Sequence, residues 1–457
     1  MANIAVILSA GSGSRFGGAV PKQFVKLAGK SVIEYTVEIF EKSKDIDEVI
    51  IVAQSPHIEK TWEIIKKNKW KKINKVILGG NERFDSTYSA IKALEEYDEK
   101  SKVLFHDAVR PLLTERIIND CLEVLDSFEV VDVVINSADT LVEVYDDGCI
   151  ANIPNRSIMR RGQTPQGFLL GTIKKAYKKA IDTNRYVFTC DCGVVRAMLP
   201  QVRVATVSGS ERNLKITQPI DLFVAEKLLQ AGDKSDYRSP EKLTLLKNKN
   251  IVIFGGNSGI GAEMKKLAIL NGANVEIASR SYNGVDICDI ESVKKYLESV
   301  RRNNGEINYI VNTAGVLIKK PIDNHSVKEI SDLISVNYLG AVNVSIAAKK
   351  FLLESHGMLL NFTSSSYTRG RAYYALYSSA NAAIVNFTQA IAEEWEDELI
   401  RVNCINPERT ATPMRLKNFG IEPKELLLSA HEVAITSLNV LLSDRTGIIV
   451  DVRKDGR

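Results

Sequence analysis

The sequence predicts two doubly wound α/β domains joined end to end, and three observations carry that prediction. Short apolar runs alternate with helical patterns along the whole chain, as in mainly parallel sheets covered by helices. A strand, a glycine-rich loop and a helix open the chain near residues 4–24, and the same order starts afresh at 250–261. Between them the stretch 230–250 is polar, charged and broken by a glycine and a proline. At 457 residues the chain exceeds what one hydrophobic core usually serves. The domains are expected at 1–235 and 248–457, with a linker at 236–247.

In order, the first half offers strands at 4–8, 48–53, 75–79, 102–106 and 130–135. The second offers 250–254, 274–280, 309–315 and the run starting at 358. No internal repeat is present, because the two glycine-rich loops differ in spacing. Hydrophobic residues make up 45% and charged residues 25%, the composition of an ordinary soluble protein. Sixty basic against fifty-six acidic residues give +4, too weak a bias for a nucleic-acid or anionic-membrane partner. The six cysteines are scattered, and Cys190 and Cys192 fit no common zinc spacing. The N-terminal apolar run is a buried strand entering a loop, too short for a signal peptide or a membrane span, so a cytoplasmic protein is expected.

The segment "LSAGSGSRFGGAVPKQF" (8–24) follows the first strand directly. Its glycines, among them Gly11 and Gly13, let the backbone turn tightly against an anion, and Arg15 and Lys22 supply charge. It is neither a Walker loop nor a dinucleotide loop by spacing. "GGNERFDS" (79–86) and "FHDAVRP" (105–111) follow further strands, and Asp107 at a strand end suits Mg²⁺ against a polyphosphate. "NRSIMRRGQTPQGF" (155–168) and "NLKIT" (213–217) add positive charge.

Together these segments resemble the cytidylyltransferases of sugar and polyol phosphates, over residues 1 to about 230. The resemblance implies a Rossmann-like nucleotidyltransferase domain in which a substrate phosphate attacks the α-phosphate of CTP and expels pyrophosphate. It implies that Arg15 and Lys22 stabilise the transferring phosphate and that Asp107 holds Mg²⁺. Ala10, Gly11, Gly13, Gly80, Asn81, Arg83 and Ser86 would hold the nucleotide. Arg110, Arg156, Thr164, Thr189 and Lys215 would bind the phosphorylated alcohol. Asp107 is expected to be dispensable for folding, as a dedicated metal carboxylate at a strand end. The family's Thr-acid-acid stretch is "TCD" (189–191) here.

In the second half, glycines 255, 259 and 261 open a helix straight after an apolar strand, an arrangement that seats a pyrophosphate at a helix N-terminus. Asp286, "NTAG" (312–315), Asn337, Ser364 and Tyr377 follow, with Ser364 thirteen residues before Tyr377 and Asn337 twenty-seven before Ser364. This pattern, over about 248–450, resembles a short-chain dehydrogenase/reductase with a Rossmann domain. The resemblance implies that Tyr377 gives a proton to the carbonyl being reduced, with Ser364 on the same oxygen and Asn337 completing the catalytic set. The dinucleotide would lie on Gly255, Asn257, Ser258, Gly259, Ile260, Gly261, Asp286, Asn312, Ala314, Gly315, Tyr377 and Asn381. Three positions depart from the family: Phe254, Glu408, and Asn381 where a lysine is usual. Without the lysine charge the Tyr377 pKa is expected to return towards that of an ordinary phenol, leaving a weak reductase. The second strand ends without an acidic residue, and Arg280 there suits a 2′-phosphate, so NADPH is expected over NADH.

A cytidylyltransferase joined to a carbonyl reductase implies consecutive steps, reduction of a ketopentose phosphate and activation of the resulting pentitol phosphate by CTP. The pair resembles the bifunctional reductase/pyrophosphorylases of capsule and wall polymer synthesis, which implies ribulose 5-phosphate and ribitol 5-phosphate. A homodimer through the reductase half is expected, pairing the helices of Asn337 and Tyr377. Two other readings stay open. One is a methylerythritol-phosphate cytidylyltransferase with an unrelated reductase. The other is a silent reductase half that serves dimerisation or cofactor sensing.

Overall fold

The computed structural model describes every residue except 12–15, 17–19, 231–236 and 455–457. The chain divides into two compact units, Met1–Glu226 and Lys227–Arg457.

The first unit is built on a seven-stranded sheet. Its strand order is Val204–Ser208, Val130–Asn136, Arg160–Leu169, Lys102–Asp107, Asn3–Ser9, Glu48–Ala53, Ile73–Leu78. All neighbours are parallel except Arg160–Leu169, which runs antiparallel to both strands beside it. The opening strand is apolar because both its faces are covered. Ile4 and Val6 enter one core cluster, while Ala5 and Ile7 enter the other. On one side it pairs with Glu48–Ala53 and on the other with Lys102–Asp107. The chain therefore reverses its direction of travel across the sheet there, and a crevice opens at the carboxyl ends of these strands.

The second unit carries a six-stranded, all-parallel sheet in the order Asn274–Ala278, Asn250–Phe254, Tyr309–Asn312, Met358–Phe362, Arg401–Pro407, Ile449–Val452. Its reversal point lies at the end of Asn250–Phe254, where the glycine-rich loop begins. The continuous helical run Val327–Ser355 is long and apolar enough, by length and composition alone, to cross a membrane. Its Val344, Ala348, Phe351 and Leu352 are buried in the core of this unit. Residues 237–247, polar in sequence, are seated on the same unit. Leu243 and Leu246 are buried, and Asn439 donates hydrogen bonds to the carbonyls of Tyr237 and Ser239.

Candidate active sites

In the first unit a cavity of about 260 Å³ lies at the reversal point. It brings together Ala10, Gly11, Lys22, Asn81, Arg83, Ser86, Asp107 and Lys215 from five separate segments. Gly13 and Arg15 lie outside the described residues. Local structure sets each side chain. Lys22 starts a short 3-10 turn, and the neighbouring Gln23 amide, donating to the Ser9 carbonyl at 3.1 Å, ties that turn to the first strand. Arg83 opens the helix Arg83–Ala93 behind a capping box made by Glu82 and Asp85. Gly80 precedes this cap because a Cβ there would meet the Asp85 Cβ at 2.2 Å.

Asp107 is the charge hub. Its Oδ1 accepts from Arg83 Nη1 at 2.5 Å, and its Oδ2 faces Arg110 Nε at 3.2 Å and Lys215 Nζ at 3.1 Å. Burial would raise its pKa, but Arg83, Lys215 and Arg110 outweigh burial and hold it well below the usual carboxylate range. The second Arg83 nitrogen reaches Asp191 at 2.8 Å, and the Tyr177 hydroxyl donates to the other Asp191 oxygen at 2.7 Å. Asp107 is thus a core element, 5% exposed, and its removal would take away the carboxylate shared by Arg83, Arg110 and Lys215, leaving Asp191 to pair with Arg83 alone. This corrects the expectation that it is dispensable for folding. Among the described residues no group of three His, Cys, Asp or Glu side chains is arranged to hold a metal. The donor set does not make a resident metal site; a magnesium ion arriving on CTP would bring phosphate oxygens as its ligands.

Several residues expected on the alcohol side are otherwise engaged. Arg110 donates to the Asn213 carbonyl at 2.7 Å as well as to Asp107. Thr164 is buried beneath the site, where its hydroxyl accepts from the Asp107 backbone N–H at 3.1 Å and lies 3.0 Å from His106 Nδ1. Burial pushes that histidine down to about 3, so it stays neutral. Arg156 is exposed and donates to the Ala138 carbonyl, and Thr189 is exposed; neither lines the cavity. Sequence reasoning missed Asp191, although the acid of "TCD" was the signal for it. It also missed Gln166, whose side-chain oxygen accepts from the Asp191 backbone N–H at 3.0 Å.

In the second unit a cleft of about 440 Å³ contains Gly255, Asn257, Ser258, Gly259, Ile260, Gly261, Ala314, Gly315, Asn337, Ser364, Tyr377 and Asn381. Two glycines are required by close approach. Gly255 has φ +81° and a Cβ there would lie 2.7 Å from the Ala314 nitrogen. A Cβ on Gly261 would lie 2.6 Å from the Gly255 carbonyl. The loop leads into the helix Gly259–Leu270, whose first N–H groups have no helical acceptor, so these residues fit a dinucleotide pyrophosphate. Arg280 stands just past the second strand, exposed, with Nη1 4.0 Å from Asp286 Oδ2. Asn312 closes its strand and accepts from the Ala314 N–H at 3.2 Å. Neither Arg280, Asp286 nor Asn312 lines the cleft itself.

Asn337 sits in a π-helical turn, Ser335–Leu339. Its amide both accepts from the Val316 N–H and donates to the Val316 carbonyl, each at 2.8 Å. It therefore positions the loop after Tyr309–Asn312 rather than offering a free group to substrate. Burial takes the Tyr377 hydroxyl above the usual phenol value, against a downward pull from the Ser364 and Asn381 side chains. The structure thus departs from the expected return to an ordinary phenol, because the protein packed around the ring disfavours the phenolate. The Asn381 amide donates to the Tyr377 carbonyl at 2.8 Å, the next turn of the same helix.

One unit with a polyphosphate-type crevice and one with a dinucleotide loop and a Ser-Tyr pair define a nucleotidyltransferase fused to a short-chain dehydrogenase/reductase. The family model for 2-C-methyl-D-erythritol 4-phosphate cytidylyltransferase matches residues 3–231, and that for short chain dehydrogenase matches 249–420. The bifunctional ribulose 5-phosphate reductase/CDP-ribitol pyrophosphorylase of Haemophilus influenzae is 48% identical over 455 residues, which is 98% of this chain and 95% of that protein. The chain belongs to this bifunctional family. A 2-C-methyl-D-erythritol 4-phosphate cytidylyltransferase of Thermobifida fusca is 40% identical over 232 residues, 50% of this chain and 93% of that protein. A solved 4-diphosphocytidyl-2C-methyl-D-erythritol synthase of Anaerococcus prevotii is 30% identical, covers 50% of this chain and 97% of its own, and has a TM-score of 0.44.

Proposed function

We propose that this chain makes CDP-ribitol in two steps: NADPH-dependent reduction of D-ribulose 5-phosphate to D-ribitol 5-phosphate, then cytidylyl transfer from CTP. The observation that carries the reading is the 48% identity to a bifunctional relative over 98% of the chain. Both candidate sites lie at the sheet reversal points where such chemistry is housed.

In the reductase unit the bound nicotinamide supplies the hydride for the ketose carbonyl carbon. Tyr377 gives its hydroxyl proton to the carbonyl oxygen, and Ser364 donates a hydrogen bond to the same oxygen as charge develops there. Asn381 offers its amide as a polar neighbour without charge, and Asn337 keeps the adjoining loop in register. Arg280 is suited to a 2′-phosphate, which favours NADPH.

In the transferase unit a phosphate oxygen of ribitol 5-phosphate forms a bond to the α-phosphorus of magnesium-bound CTP as the bond to pyrophosphate breaks. No protein nucleophile is needed. Lys22 and Lys215 offset charge on the phosphates, while Arg83, fixed between Asp107 and Asp191, shapes the nucleotide side. The composition, with its near-balanced charge, favours a cytoplasmic enzyme with no membrane or nucleic-acid partner. Leu339, Ile346 and Leu353, exposed on the helical run 327–355, supply the apolar surface a homodimer through the reductase unit needs.

The 40% identity of the first half to a methylerythritol-phosphate enzyme supports a second reading, in which that alcohol is the acceptor. One experiment separates them. The protein is incubated with ribulose 5-phosphate, NADPH and CTP, and NADPH loss and pyrophosphate release are followed separately, with ribitol 5-phosphate and 2-C-methyl-D-erythritol 4-phosphate as direct acceptors. Pyrophosphate release with the erythritol phosphate alone would overturn the CDP-ribitol reading.

A further inference from the structure

Beside Ser364 and Tyr377 the reductase cleft is lined by three arginines, Arg371, Arg409 and Arg415. Proton donation and dinucleotide binding as derived above use none of them. They come from two chain segments. Arg371 precedes the helix Ala375–Glu394, which carries Tyr377, while Arg409 and Arg415 follow the strand Arg401–Pro407.

Arg415 is held rigidly. Its Nε and Nη2 donate to the two Glu422 oxygens at 2.6 and 2.8 Å, and its guanidinium lies 4.4 Å from the Phe419 ring centroid. Phe419 meets Tyr374 edge-on at 5.9 Å, and Tyr374 lies 6.4 Å from Tyr377, ring to ring. A continuous aromatic ladder therefore joins the arginine to the reacting tyrosine. The charge of Arg415 is felt at that hydroxyl, whose pKa it draws downward. Arg371 and Arg409 are exposed and, among the described residues, their guanidinium groups make no hydrogen bond or ion pair. Glu408 and Glu422 are the carboxylates of the cleft, and Glu422 is already paired with Arg415. Three arginines against these two carboxylates leave one net positive charge in the cleft, with the Arg371 and Arg409 forks open to an anion. A phosphate monoester accepts from such forks in pairs, which an uncharged sugar hydroxyl cannot do as well.

We propose that Arg371, Arg409 and Arg415 form the receptor for the phosphate of the ketose phosphate, so that the reductase unit selects phosphorylated over unphosphorylated ketoses. The proposal rests on the reading of this unit as a ribulose 5-phosphate reductase, and it adds the residues that set its substrate class.

The test uses the full chain with D-ribulose 5-phosphate, D-ribulose and inorganic phosphate. Arg371→Ala/Arg409→Ala, two exposed positions with little bearing on folding, should lower the ratio of kcat/KM for the phosphorylated to the unphosphorylated sugar at least about tenfold. Inorganic phosphate should compete with ribulose 5-phosphate in the unaltered protein and at least about tenfold less well in the double variant. Arg415→Lys, which keeps the charge and loses the fork, should lower the same ratio by a smaller factor. An unchanged ratio together with unchanged phosphate inhibition in the double variant would overturn the proposal while leaving the reductase reading standing. If the unaltered protein binds NADPH but reduces neither sugar, the reductase reading fails instead. The receptor is then judged by titrating the NADPH-loaded protein with inorganic phosphate and following bound-nicotinamide fluorescence. A saturable change lost in the double variant supports it, and no saturable change in the unaltered protein overturns it.

Discussion

Replacing Asn381 by lysine tests how the reductase manages without the charge its family normally carries there. Asn381 is 7% exposed, one helical turn after Tyr377, and its amide is occupied by the Tyr377 carbonyl. An ammonium about 4–5 Å from a phenolate, at an effective dielectric of about 20, is worth about 4 kcal/mol. Only part of that charge has developed in the transition state, and burying the ammonium opposes the gain. A net lowering of about 1–3 kcal/mol remains, roughly a tenfold to hundredfold rise in kcat. The pH dependence gives a second readout. Burial holds the Tyr377 pKa above the phenol value, and the tyrosine acts as a proton donor. Reduction should therefore persist to alkaline pH in the unaltered protein and fall off at lower pH in Asn381→Lys. The assay is NADPH oxidation with ribulose 5-phosphate across pH, with NADPH binding measured alongside. Several turnovers per second in the unaltered protein, with no gain and no shift in the alkaline limb on substitution, would refute the expectation of a weak reductase and make asparagine an adapted residue.

Asp107→Asn should destabilise the first unit by about 3 kcal/mol at neutral pH, at the lower end for breaking a buried pair because the Lys215 side chain is 36% exposed. The Asp107 pKa is depressed in the fold, so its contribution is complete above about pH 4 and is lost as pH falls through the depressed value; the deficit of the variant should shrink in acid. Urea midpoints from Trp62 and Trp70 fluorescence in a Trp395→Phe background read this unit alone, and equal midpoints at pH 7 would contradict the charge hub. Arg280→Ala should weaken NADPH binding roughly tenfold and leave NADH nearly unchanged, since Arg280 is exposed and only loosely paired with Asp286. Equal losses for both cofactors in fluorescence titrations would remove its 2′-phosphate role.

The strands legible in the sequence were those with a short apolar run, among them 4–8, 48–53 and 102–106 in one unit and 250–254 and the run starting at 358 in the other. The edge strands 75–79 and 274–280 were read as well, although they are partly exposed. Their loops followed at once, which is why Lys22, Arg83, Asp107, Gly255, Ser364 and Tyr377 could be singled out. Arg160–Leu169 escaped notice because "RRGQTPQGFL" is polar and interrupted by proline, although it runs antiparallel through the sheet and carries Thr164 under Asp107. Asp191 escaped as an ion-pair partner because it lies 108 residues from Arg83, and only the folded sheet brings them within 2.8 Å. The strand Arg401–Pro407 was missed as well, and that omission had the larger consequence. It pairs in parallel with Met358–Phe362, so the chain leaving each strand emerges at the same edge of the sheet. One exit carries Ser364 and, beyond it, Arg371 and Tyr377; the other carries Arg409 and Arg415. In a parallel doubly wound sheet, residues that follow neighbouring strands meet at the carboxyl edge whatever their separation in sequence. A reader who finds the strand at 401–407 is therefore led from the strand order alone to look for the partner of the Tyr377 site between residues 408 and 422.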